Sequence, residues 1–257
     1  MKFFLQLVLC FVLLSTVSCS SNKSELNKII CSTMFKKAKI DNVDEPRLIC
    51  KQASQDIINE QIPSKTPMQS FTQFETYGFP PGNYEFFAVK FDKSKVSIGK
   101  GYIDEQGEFQ LDKMFRTLPL SRFISCGSGF LPGEPIHYVL ISEDRTCVAS
   151  DFIVPNPIEA RWFDGAQISM IAIDPSMECF ILEGNGFKSN EVLQVVAKSC
   201  NEILSYDSIA SSDGEVFLMA ASGMQSKICG KGTYTIKRKN GEIKTLSYFQ
   251  SSKVWNR

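Results

Sequence analysis

Histidine is almost absent: His137 is the sole one among 257 residues. The nine cysteines include no C-x-x-C pair. A zinc site draws its ligands from closely spaced cysteines and histidines, so this composition argues against one. An excess of charge is also lacking. Lys and Arg number 28, and Asp and Glu number 28. No net field therefore draws the chain to nucleic acid or to an acidic membrane surface. Beyond Phe3–Leu14 no apolar run approaches the ~20 residues that a membrane-spanning helix needs. No G-x-G-x-x-G or P-loop follows an apolar run, and G-x-S-x-G and H-E-x-x-H are missing. No cofactor and no metal are expected, and an enzyme is not. Hydrophobic residues make up 43% of the chain, enough for a core, and its length suits one large or two ordinary domains.

The N-terminus carries an address. Met1 and Lys2 form a short positive region, Phe3–Leu14 is apolar apart from Gln6, and Ser15-Thr16-Val17-Ser18-Cys19 follows. The apolar stretch is too short to span a bilayer but suits a secretory signal. The run L-L-S-T-V-S-C resembles the lipobox of bacterial lipoproteins, with Thr16 where leucine is usual. The resemblance implies cleavage after residue 18, acylation (palmitate) of Cys19 and a lipid anchor. Ser20, not aspartate, follows the cysteine, which implies outer-membrane sorting with a periplasmic or surface-exposed body. The competing reading is an ordinary cleaved signal with a soluble product. Ser20-Ser21-Asn22-Lys23-Ser24 reads as a polar tether.

Cys10 leaves with the signal and Cys19 carries lipid, so an odd number of cysteines remains. In an oxidising compartment nearest neighbours would pair as Cys31–Cys50, Cys126–Cys147 and Cys179–Cys200, leaving Cys229. The alternative is that some are buried apolar thiols.

The body repeats itself. Gly78-Phe79-Pro80-Pro81-Gly82-Asn83 recurs as Gly129-Phe130-Leu131-Pro132-Gly133-Glu134, and more weakly as Gly186-Phe187-Lys188-Ser189-Asn190-Glu191. Each precedes a strand-like apolar run, and a second turn signal follows: Glu105-Gln106-Gly107-Glu108, Pro155-Asn156-Pro157 and Ser212-Asp213-Gly214-Glu215. Glycine supplies positive φ and proline fixes its own, so these are turns between β-strands. Lys239-Asn240-Gly241 between Thr233–Arg238 and Ile243–Phe249 predicts a two-residue Asn-Gly hairpin. Short strands at this spacing point to a sandwich.

Gly127-Ser128-Gly129-Phe130-Leu131-Pro132-Gly133-Glu134 resembles the G-x-G-F-x-P-G-E pattern of immunoglobulin-like modules in bacterial surface and envelope proteins. Gly184-Asn185-Gly186-Phe187 matches and then departs at Lys188, while the first copy has Thr76 in place of the leading glycine. The resemblance covers about residues 68–250. It implies a mostly β fold of tandem immunoglobulin-like sandwiches and a spacer, adhesive or protein-binding role. The copies sit closer together than a seven-strand module requires, so they read as halves of larger units.

Residues 24–67 differ. Leu26, Ile29, Ile30 and Met34 keep a helical period, and Pro46 is expected to open a second helix carrying Leu48, Ile49, Ile57 and Ile58. The predicted organisation is therefore signal peptide (1–18), tether and short helical region (19–67), first immunoglobulin-like unit (68–165) and second unit (166–257).

The remaining candidates are weak. His137 reads as a strand residue; Cys126 and Cys147 flank it and leave a Cys–His pair open. Asp104, Glu108, Asp213 and Glu215 read as solvated turn carboxylates rather than Ca²⁺ ligands. Lys237-Arg238-Lys239 reads as a basic hairpin tip, and Trp162-Phe163 as core or else as an aromatic anchor. The expected role is binding or structural at the envelope, towards a protein or cell-envelope partner and not nucleic acid. An adhesin-like role and an envelope enzyme or accessory are the alternatives.

Overall fold

The computed structural model describes residues 45–54, 58, 69–113, 116–173, 177, 179–199, 202–221 and 231–249. Cys19, Cys31, Cys200, Cys229 and the first expected helix lie outside these residues. Pro46 opens a strand, not the second expected helix. In β1 (Arg47–Gln52) Leu48 and Cys50 are buried at period two, and the strand pairs antiparallel with β2 (Gln69–Tyr77). The apolar pair Leu48-Ile49 fits either period, and the partner strand settles which one forms.

The first unit continues with β3 (Gly82–Val89), β4 (Lys95–Ile103), β5 (Phe109–Lys113), β6 (Arg116–Pro119), β7 (Ile124–Ser128), β8 (Ile136–Ser142) and β9 (Val148–Ile153). Its two sheets have the orders β1-β2-β7 and β6-β5-β4-β3-β8-β9. The second unit comprises β10 (Ile158–Arg161), β11 (Gln167–Ala172), β12 (Cys179–Asn185), β13 (Val192–Ser199), β14 (Glu202–Ile209), β15 (Val216–Ala221), β16 (Lys231–Arg238) and β17 (Ile243–Phe249). Its sheets are β10-β11-β12-β15 and β14-β13-β16-β17. Without the added β5 and β6 in one unit and β10 in the other, the two orders coincide. The first, second and fifth strands form one sheet, and the fourth, third, sixth and seventh form the other. That is the Greek-key order of immunoglobulin-like and fibronectin type III sandwiches.

Each pair of sheets encloses one core. In the first, Phe74, Phe86, Phe109 and Tyr138 pack edge-on or stacked, with ring centroids between Phe74 and Phe86 at 5.0 Å. The open side of β1 is closed by β9, where the buried Asp151 carboxylate accepts the Cys50 N–H at 2.7 Å. In the second, Phe180, Tyr234 and Tyr248 cluster from both sheets. The units also touch. Phe91, from the turn after β3, joins the second core, and Phe152 of β9 packs with Ile171 and Ile181. Gly133 donates its N–H to the Asn156 carbonyl and accepts the Ala172 N–H.

This architecture reorders the sequence repeat. Gly78-Phe79 and Gly186-Phe187 occupy the same place, between the second and third strands of their sandwiches. Gly129–Glu134 instead joins β7 to β8 and faces the neighbouring unit. The turns at Gly107 and Gly214 are true equivalents. Asp104 and Ser211 each use a side-chain oxygen to accept N–H groups two and four residues on, and each backbone N–H donates to residue 108 or 215.

Those two glycines separate two costs. Gly107 has φ +81 and open space around it, whereas Gly214 has φ +76 and a Cβ there would collide with the Phe187 carbonyl oxygen. Gly107→Ala is expected to cost about 1–2 kcal/mol from backbone strain alone. Gly214→Ala is expected to cost more, because the turn must also leave Phe187. Denaturant melts of both variants check the order.

Candidate functional site

The end of the second sandwich is built around one buried cation. Along β16, Tyr234, Ile236 and Arg238 face inward together, and Arg238 is 2% exposed. Its Nε donates to Glu191 Oε1 at 2.7 Å and one Nη to Glu191 Oε2 at 2.9 Å, a bidentate pair. The other Nη donates to Asp164 Oδ1 at 2.8 Å, with Glu242 further off at 3.7 Å. The guanidinium carbon also lies 5.4 Å from the Phe187 ring centroid and 5.7 Å from that of Trp162. One side chain thus ties three turns: that between β10 and β11, that between β12 and β13, and its own.

The electrostatics follow from these bonds. Arg238 holds the Glu191 and Asp164 carboxyls below the usual carboxylate range, and the two carboxylates hold the guanidinium in its charged form. The expected basic tip is therefore wrong at its centre. Arg238 points inward and is neutralised, while Lys237 and Lys239 stay on the surface. The predicted Asn-Gly hairpin also differs. Gly241 alone is at positive φ, its N–H donates to the Arg238 carbonyl, and Arg238 N–H donates to the Glu242 carbonyl. That is a three-residue loop with glycine in the left-handed place, not the two-residue form, which needs positive φ at both residues.

Trp162 and Phe163 part company. Trp162 is buried against Phe187, and Phe163 is fully exposed. The turn separates them: Gly165, at φ +91, donates its N–H to the Trp162 carbonyl, and Asp164 Oδ1 accepts the Ala166 N–H. Lys244 Nζ lies 5.9 Å from the Phe163 ring, and Ile243 nearby in sequence is 55% exposed. Asp164 links this tip to the buried brace beneath it.

The other sequence candidates are dispersed. His137 is buried on the outer face of β8, with its ring 5.4 Å from that of Phe152. Cys126 is exposed on the outer face of β7, in the opposite sheet, so the whole core separates it from His137. Cys147, just before β9, is a buried thiol within that core, and Cys126 and Cys147 are both free. Cys50 lies in the first core and Cys179 at the start of β12, while the cysteines expected to pair with them lie outside the described residues. Asp104 accepts bonds from Gln106, Glu108 and Gln110, which hold its carboxyl low, and no metal-ligand cluster gathers among the described residues.

Two shallow grooves cross outer sheet faces. One of about 340 Å³ runs over β10, β11, β12 and β15 past Glu159, Arg161, Gln167 and Glu183. The other, of about 620 Å³, crosses β3, β4, β8 and β9, where Lys95 pairs with Glu85 at 3.0 Å and caps the Phe87 ring at 3.9 Å.

No family model matches the chain, and no curated protein does. Among solved structures it is similar to a tetra-tandem repeat in the extending region of a large adhesion protein, at 11% identity and a TM-score of 0.26, covering 80% of this chain and 50% of that one. A β-glycosidase from Bacteroides vulgatus is matched at 16% identity and a TM-score of 0.27, covering 80% and 25%. The chicken CNTN1 FN1-FN3 domains are matched at 8% identity and a TM-score of 0.21, covering 80% and 65%. The chain thus spans half or less of the first two. Scores this low establish nothing about fold or role, and the sandwich rests on its own strand order.

The Arg238 brace is open to a direct test. Arg238→Met is expected to lower stability by about 3–5 kcal/mol, because Glu191 is left buried without its counter-charge. The pH effect has a definite sign. Carboxyls held low stabilise the fold above their unfolded values, 4.5 for Glu191, and lose that contribution as pH falls through the lowered folded values. Stability measured in denaturant should therefore fall steeply below about pH 4, and Glu191→Gln should flatten the fall while lowering the plateau.

Proposed function

We propose that this is a non-enzymatic, exported bacterial envelope protein, anchored through an acylated Cys19 in the outer membrane, whose paired sandwiches present a binding surface. The observation that carries the reading is Phe163. It stands fully exposed beside a turn braced by Arg238, Glu191 and Asp164. A rigidly mounted aromatic side chain suits an anchor that enters a partner's pocket at low entropic cost. The lipobox-like segment and polar tether supply the address. The side chains that sequence offers for chemistry are otherwise engaged: His137 in packing, Asp104 in its turn.

The partner is a protein or polymer of the envelope; an adhesin-like role towards other cells is the second reading, and it differs only in which side of the membrane the tip faces. Two measurements test the proposal. Radiolabelled palmitate should enter the native chain and not Cys19→Ala; an unlabelled native chain sinks the anchor. A photo-crosslinking residue at position 163 should capture an envelope component on intact cells, and one at exposed Tyr102 should not. Equal capture at both positions removes the case for the tip.

A further inference from the structure

Among the described residues, no strand pairs with the outer edge of β14 in the sheet β14-β13-β16-β17. β14 has eight residues, against seven in β17 at the other edge and four each in β10 and β6. It contains no proline and no lysine, and its register to β13 is unbroken. Proline, lysine and bulges are the usual devices that keep an edge from pairing. Instead β14 shows Ile203 at 67% exposure and Ile209 at 65%.

The ladder's phase tells which backbone groups are open. Ala210 donates its N–H to the Glu191 carbonyl at 2.9 Å, just beyond the pair Val192–Ile209. Alternation then turns Leu204, Tyr206 and Ser208 towards β13. The N–H and C=O groups of Ile203, Ser205, Asp207 and Ile209 point away from the sheet, and their side chains share its outer face.

We propose that two copies of this chain pair antiparallel through β14, centred on Tyr206, to make one continuous sheet. In that register Ile203 of each copy faces Ile209 of the other, and Ser205 faces Asp207. Val192 already sits beside Ile209, so each end gains an apolar trio. Moving the centre to Ser205 would set Ile203 against Asp207 and leave Ile209 beyond the ladder. The strand is self-complementary in one register, as an isologous two-fold contact requires. The pairing is independent of the role given to Phe163, which belongs to a different turn.

Sedimentation velocity on the full chain, purified as the cell delivers it in a mild non-ionic detergent, tests the proposal. A concentration-dependent monomer–dimer equilibrium is expected, weak because the contact is small. Ser205→Pro removes an N–H that β13 does not use, so the sandwich should keep its melting profile while dimerisation weakens at least ~10-fold. Ile203→Glu with Ile209→Glu should abolish the dimer. Ile203→Glu with Ile209→Lys places opposite charges across both ends and should restore it. A native chain that stays monomeric, a dimer that survives Ser205→Pro in a folded protein, or equal loss in the two double variants would overturn the pairing. Should Ser205→Pro fail to fold, the contrast between the double variants decides alone.

Discussion

Every strand of this protein must hide one face, and two sheets stacked on each other are how it does so. The core of each unit is therefore shared property: Phe74 of one sheet meets Phe86 and Tyr138 of the other, and Phe180 meets Tyr248. Register follows from this burial, since a slip of one residue would turn each strand's aromatic side chains to solvent. The turns, grooves and exposed tip are positioned by strands that the cores have already aligned.

At the far end of the second unit that logic is extended by charge. Arg238 continues the inward alternation of Tyr234 and Ile236, so a cation arrives where an apolar residue would be expected. Its burial is tolerated because Glu191 meets two of the guanidinium nitrogens with both oxygens, and Asp164 meets the third with its carboxylate. The compensation links turns remote in sequence. Phe163 stands fully exposed beside it, whereas the exposed aromatics Tyr77, Tyr102 and Phe217 keep more than half of their surface covered.

The two units share a topology but use it differently. The first adds β5 and β6 to its larger sheet and buries Phe87, Val89 and Val139 on the outer face as well. The second adds β10 beside β11, and at the far end β14 has no further strand beside it among the described residues. Equivalent turns at Gly107 and Gly214 then lead to different elements, β5 in one unit and β15 in the other. A repeat of local turn chemistry therefore does not imply a repeat of connection.

Much of the fold was legible because β-structure writes itself locally. Alternating apolar residues, Gly-Phe turns and the Asn240-Gly241 dipeptide marked strands and turns, and their spacing indicated sandwiches. The helix expected after Pro46 failed because Leu48-Ile49 suits two periods and only pairing with β2 distinguishes them. The Cys126–Cys147 spacing misled because sequence distance says nothing about which face of which sheet a thiol occupies. Inward parity along Tyr234, Ile236 and Arg238 was a readable hint of the brace, but Glu191 and Asp164 carry no local mark of it. Sequence alone determined the strand-rich class and the position of many of its turns, since each depends on neighbouring residues. Tertiary structure decided which turns are equivalent, which cation is buried, and which aromatic and which edge are left bare, because these depend on residues far apart in the chain meeting across a core.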